Sequence, residues 1–214
     1  MEAALKPYVV NAELAVSDTN PHSWLVLVGE QPDTPGPRCL VGTLRPEHRG
    51  RRASVAAFAR AKLLVAADDG GGSWRSAAYR HEVLLPPGAD DRYLCPQALF
   101  EDVDAAHPAS GKALVSYVTL TWVPNRLHQQ WSLVRALAAE LVDAHAVPVL
   151  LIQHVPGIVA STALPHCHLL FPGPRTLSAI GWGGYVSALI GDRAWLPIRS
   201  RFHELLATSG QPVA

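Results

Sequence analysis

The sequence predicts an α+β domain, a mostly antiparallel sheet with helices packed on one face. Three observations carry this reading. Short runs rich in β-branched and aromatic residues alternate with Ala-rich segments of helical period. The apolar runs 147–154 and 164–171 are joined by only 155–163, too short for a parallel crossover, so they pair as an antiparallel hairpin. Hydrophobic residues make up 49% of the 214, enough for a packed core. No apolar run nears the ~20 residues that cross a bilayer, so no membrane partner is expected.

The elements follow in order. Residues 1–36 hold a strand at 23–28 and are acidic, with Lys6 against Glu2, Glu13, Asp18, Glu30 and Asp33. The stretch 31–37, with Pro32, Pro35, Pro37 and Gly36, cannot be regular structure, because proline fixes φ and lacks an N–H. It divides the chain into an extension, 1–36, of unassigned role and a domain, 37–214. Past the break the charge inverts: Arg38, Arg45, Arg49, Arg51, Arg52, Arg60 and Lys62 stand against Glu47 alone up to residue 67. Residues 51–67 read as a helix, with Val55, Phe58, Ala59, Lys62 and Leu63 at helical spacing. The glycine-rich stretch 68–73 is a connector. A strand at 77–85 stops at Pro86 and Pro87. A helix at 96–106 carries Leu99, Phe100 and Val103, and 113–123 is a strand. The long helix 126–145 has the stripe Leu127, Trp131, Val134, Leu137, Ala138 and Leu141. The two hairpin strands follow, then helices at 176–190 and 195–207, the first weakened by Gly181, Gly183 and Gly184.

Lys plus Arg and Asp plus Glu each number 18, so a wholesale basic nucleic-acid binder is excluded, though a local basic face is not. Three cysteines at no metal-like spacing argue against a disulfide framework. With no leader pattern at the start, a cytoplasmic location is expected.

The chemistry concentrates in the histidines. His166 and His168 are two apart on a strand and project from one face, with Cys167 on the other. His154 ends the partner strand, so a hairpin brings three imidazoles together. Neutral imidazoles are metal ligands, and three of them leave coordination positions open. Arg45, Arg49, Arg51 and Arg52, ahead of a helix N-terminus, form a phosphate-binding stretch.

These residues resemble a known family. Gln153-His154-Val155-Pro156-Gly157 followed by Pro165-His166-Cys167-His168-Leu169-Leu170-Phe171 resembles the metal motif of the MobA/MobL plasmid mobilisation relaxases, which are histidine-hydrophobe-histidine endonucleases. The stretch from Tyr79 to Pro86 resembles the family's strand ending in Glu-x-x-Leu-Pro, and Leu99-Phe100-Glu101-Asp102-Val103 its acidic helix. The likeness spans about residues 45–190. It implies a relaxase-like fold, Mg²⁺ or Mn²⁺ on His154, His166 and His168, single-stranded DNA at a transfer origin as substrate, and accessory mobilisation proteins as partners. It also implies strand nicking by a tyrosine that becomes joined to the 5′ phosphate. The family's tyrosine lies in an Ala-Ala-Tyr-Arg-like helix, where this chain has Ala56-Ala57-Phe58-Ala59-Arg60. A second such string, Ala77-Ala78-Tyr79-Arg80, makes Tyr79 the remaining nucleophile candidate, with Tyr93, Tyr117 and Tyr185 read as core or rim. The chain is therefore expected to be an enzyme of this kind or a degenerate copy. The alternatives are a non-catalytic DNA-binding module of the same fold and a histidine-triad-like nucleotide phosphoesterase. The latter requires a third alternating histidine, where position 170 is Leu.

Overall fold

The structure, a computed structural model, describes residues 6–64, 74–108, 111–159 and 161–210. The expected connector at 68–73 and the last residues of the 51–67 helix lie outside the described residues. The strands are β1 (Tyr8–Val9), β2 (Leu27–Gly29), β3 (Arg38–Leu44), β4 (Glu47–His48), β5 (Arg51–Arg52), β6 (Arg80–Leu84), β7 (Val115–Thr121), β8 (Val149–His154), β9 (His166–Pro172), β10 (Arg175–Ser178) and β11 (Gly181–Tyr185). The helices are α1 (Val55–Leu63), α2 (Pro96–Ala106), α3 (Leu127–His145) and α4 (Asp192–Thr208). No helix among the described residues is long and apolar enough to cross a membrane.

Seven strands form one sheet in the order β1-β2-β3-β7-β9-β8-β6, with every neighbouring pair antiparallel. The α+β class and the antiparallel sheet are as the sequence predicts. The helices, expected on one face, cover both. On one side α3 and α4 pack over Leu120, Cys167, Leu169 and Leu151. On the other, α1 and α2 pack over Tyr117, Leu150, Ile152 and Leu170. The reason is in the strands. β8 and β9 read Val-Leu-Leu-Ile and Leu-Leu-Phe without alternation, and a strand apolar at successive positions needs cover on both faces.

Two further expectations change. The proline-rich stretch at 31–37 connects β2 to β3, which pair within the same sheet. Trp24, Leu25 and Leu27 join the α1–α2 core, and Val28 joins the other. The sheet thus runs through the boundary expected at 36/37, because prolines end an element without ending a domain. The helix expected at 176–190 is instead the β10–β11 hairpin followed by a single 3₁₀ turn, Ser187–Leu189. Gly181 turns the hairpin at φ 102°, and a Cβ at Gly183 would lie 2.2 Å from Thr176 Oγ1.

α1 is fixed at its start from outside. Ser54 caps it, accepting from the Ala57 N–H at 3.0 Å. Asp104, from α2, accepts from the Val55 N–H at 2.7 Å, the Ala56 N–H at 3.0 Å and the Ser54 hydroxyl at 2.6 Å. A carboxylate there also complements the helix dipole.

Candidate metal centre

The site is built by strand register. His154 pairs directly with His166, and His168 lies between Ile152 on β8 and Thr119 on β7. Alternation turns all three rings to the face covered by α1, with Cys167 buried on the other. Ring centroids are 4.8–5.3 Å apart, and one ligand nitrogen from each ring lies within 4.8 Å of the others. A second network anchors the two loops behind them. The Gln153 amide donates to Leu127 O and Gln130 Oε1, each at 2.9 Å, and Gln130 donates to Pro165 O at 3.1 Å.

Each ring also has a nitrogen held by oxygen. His154 Nε2 donates to the Lys62 carbonyl and His166 Nδ1 to the Leu164 carbonyl, both at 2.8 Å. His168 Nδ1 lies 2.7 Å from the Tyr117 hydroxyl and 3.0 Å from Thr119 Oγ1. That leaves His154 Nδ1 and His166 Nε2 as available donors, while His168 Nε2 lies 3.5 Å from the same Tyr117 hydroxyl. Oxygen partners on the outer nitrogens are the usual second layer around histidine-bound metals. Burial, and then the neighbouring cationic groups, holds His154 down to about 4 and His168 well below the ordinary histidine range. Burial also lowers His166. Neutral rings are the form that ligates, so this donor set fits a divalent cation.

The structure adds residues that the sequence reading did not assign to the site. Lys62 is 2% exposed, with Nζ 4.6 Å from the Tyr117 ring centre and 5.6 Å from that of Phe58. Burial lowers its amine well below the ordinary lysine range. His22, on the 3₁₀ turn Pro21–Trp24, lies edge-on to Tyr117 and His168, with Nε2 3.4 Å from the Tyr117 hydroxyl. A lysine on the apolar stripe of α1 was the available signal for Lys62. His22 had none, since 95 residues separate it from Tyr117.

The other predicted residues are placed as follows. Phe58 is fully buried between Trp24 and Tyr117, so it occupies the core and presents nothing to a substrate. Tyr117 is likewise buried, and burial raises its hydroxyl pKa. Tyr93 bonds Asp102 at 2.8 Å. Tyr79 is 53% exposed and immediately precedes β6, where Arg80 pairs with Gln153. Tyr79 itself is a bend outside the ladder, and its N–H donates to the Gln153 carbonyl at 3.1 Å.

Arg45 follows β3 at its Leu44 end, whereas His166 shares a row with Thr121 and Arg38 at the other end. Six residues of strand, roughly 20 Å, separate those rows. Arg49 donates to Leu14 O at 2.7 Å and Ala12 O at 2.8 Å, while Arg51 bonds Asp18 at 3.3 Å and stacks on Trp24. Arg52 is exposed. Arg38 is the arginine on the His166 row.

No family model matches the chain, and no curated protein matches it. A solved structure from work on the molecular basis of vancomycin resistance transfer in Staphylococcus aureus does match, with a TM-score of 0.52. The match covers 63% of this chain and 70% of that one at 19% identity, so what the two share is the fold.

Proposed function

We propose that this relaxase-like chain is a metal-dependent DNA strand transferase of the MobA/MobL kind, acting on single-stranded DNA at a transfer origin. The observation that carries the reading is the convergence of three neutral imidazoles, each with its outer nitrogen on oxygen, at the end of a relaxase-like sheet. Mg²⁺ or Mn²⁺ held by His154, His166 and His168 would polarise the scissile phosphate and offset charge in the transition state.

Tyr79 is the proposed nucleophile, because it is exposed and its backbone N–H donates to Gln153, the residue before His154. Its phenol oxygen bonds to phosphorus as the bond to the 3′ oxygen breaks. The proton lost from the phenol is balanced by the one gained at the departing 3′-OH. Arg38 on the histidine row offers the nearest phosphate contact from β3, and the exposed Arg45 and Arg52 serve the strand further along. Arg49 and Arg51 are already bonded to residues 12–18 and join only if that segment moves. A histidine-triad reading is disfavoured, because Leu170 at the third alternating position is fully buried.

The test is incubation with single-stranded DNA and Mn²⁺, followed by denaturing electrophoresis. A covalent protein–DNA adduct is expected, lost in Tyr79→Phe and in His166→Ala. DNA binding without an adduct would favour the non-catalytic module.

A further inference from the structure

The proline-rich loop 31–37, which joins β2 to β3, forms part of the wall of a cavity at the end of the sheet that carries the histidines. The cavity encloses about 290 Å³. That is the small end of ligand pockets, which run roughly 300–1,000 Å³, and it suits one planar ring rather than a base pair. Pro32, Pro35 and Pro37 line it together with Val123 and Leu164, two exposed apolar residues. Among the described residues that line it, Arg38 alone is charged. Its guanidinium donates to the Pro32 carbonyl, which takes one of five N–H groups. Two residues join the cavity to the candidate metal centre. Arg38 shares a row with Thr121 and His166, so its Cα lies two strand spacings, roughly 10 Å, from that of His166. Leu164 lines the cavity, and its carbonyl accepts from His166 Nδ1.

We propose that this cavity is a base subsite, which takes one unpaired nucleobase of the strand whose phosphate lies at the histidines. The proposal rests on the DNA-strand reading above. A nucleobase has two flat faces that proline, valine and leucine surfaces can cover, and it carries a negative phosphate one sugar away. Arg38 matches both parts, because a guanidinium stacks on a base and bonds a phosphate. No carboxylate lines the cavity among the described residues, so nothing there repels the backbone. Proline holds φ fixed, so this wall is largely set before a ligand arrives and costs little to order. A base in a duplex must leave its partner and its stack to enter, whereas an unpaired base does so with less loss. The cavity therefore selects single-stranded DNA by shape, beside the atoms that would act on it. The loop that reads in the sequence only as a break between elements becomes part of strand selection.

The experiment uses the full chain with a chelator present, so that no strand is cut, and reads binding by fluorescence anisotropy. The probes are single-stranded decamers of thymidine and of deoxyadenosine, and a decamer of the same backbone with every base removed. The wild type should bind the better of the two base-carrying decamers about 10-fold or more tighter than the base-free one, within what one buried base supplies. Val123→Trp, which fills the cavity, should weaken that decamer about 10-fold and leave the base-free decamer unchanged. Thr34→Trp fills it from the loop, should act alike, and serves if the first variant fails to fold. Arg38→Ala should weaken all three decamers. Trp122 gives a direct reading. It is buried, lines the cavity, and has an indole N–H without an acceptor among the described residues. Its ¹H–¹⁵N resonance should thus stand apart from those of Trp24, Trp182 and Trp195, whose indoles donate to oxygen, and Trp122→Phe assigns it. It should shift with the base-carrying decamer and not with the base-free one. Equal wild-type affinity for all three decamers, or a folded Val123→Trp protein with unchanged affinities, would overturn the subsite and leave the DNA-strand reading standing. A wild type that binds none of them would overturn that reading, and the subsite with it.

Discussion

The two ends of one sheet face differ sharply, although the same three strands build both. Towards the Leu44 end, Val115, Leu150 and Leu170 join Leu99 and Phe100 in a core from which water is excluded. Two to four residues along, the positions on the same face are held by Thr119, His154, His166 and His168. The apolar end requires shape alone. The imidazole end requires an oxygen partner for one nitrogen of each ring, and it finds them in two carbonyls and two hydroxyls. Burial without hydrogen bonding is what the second end cannot tolerate.

Acid should separate the two ends most. His22 and His154 are held at about 3 and about 4, whereas the unfolded chain takes up those protons near 6.5. A histidine lowered by folding stabilises nothing by itself. Instead, stability is lost as pH falls below the unfolded value, until the folded pKa is reached. Between pH 6.5 and 4 the expected loss is about 3 kcal/mol for each of the two, read by urea unfolding with a chelator present. A flat profile over that range would mean that the rings are solvated.

At the apolar end, Phe100→Ala should cost about 3–5 kcal/mol in the same assay and leave Mn²⁺ affinity unchanged in the folded protein. His154→Ala should instead weaken Mn²⁺ binding more than the roughly 10–100-fold of an outer partner, measured by titration calorimetry, and should also cost about 1–3 kcal/mol of metal-free stability as the buried Lys62 carbonyl loses its donor. Lys62→Met removes a buried amine that would repel a dication. The variant should be about 1–3 kcal/mol more stable near neutral pH and bind Mn²⁺ more tightly. Weaker binding would show that the amine assists the site. The smallest effect is expected far from both ends: Arg49→Ala should change stability by about 1 kcal/mol or less and Mn²⁺ affinity not at all.

The convergence of the three histidines was legible because it depends on local rules. His166 and His168 share a face by alternation, and a short connection sets His154 opposite them. The long helix and its stripe were legible for the same reason. Lys62 could have been read, since a lysine at the spacing of Val55, Phe58 and Ala59 is either an error of phase or a buried amine. His22 could not, because its contact depends on how β2 joins the edge of the sheet, a long-range fact that no local pattern encodes. The basic stretch was misjudged for a related reason. Charge sums along the chain say nothing about which end of a strand the chain leaves from, and β3 carries Arg45 away from the histidines. The β10–β11 hairpin was hidden by apolar residues at helical spacing, although its glycines were the better guide.

The short helix α1 has its start gripped by the Asp104 carboxylate and its last turn gripped by the His154 ring through the Lys62 carbonyl. Nine residues of helix span only about 13 Å, too short to bend appreciably. It therefore behaves as a strut with both feet bolted, one to α2 and one to the ligand set. A push on α2 moves the carbonyl that aims His154 without passing through the sheet. α2 thus has a mechanical lever on one of the candidate ligands. Asp104 is its handle, at the opposite end of α1 from the His154 contact, and shortening that side chain would loosen the aim of a ring it never touches.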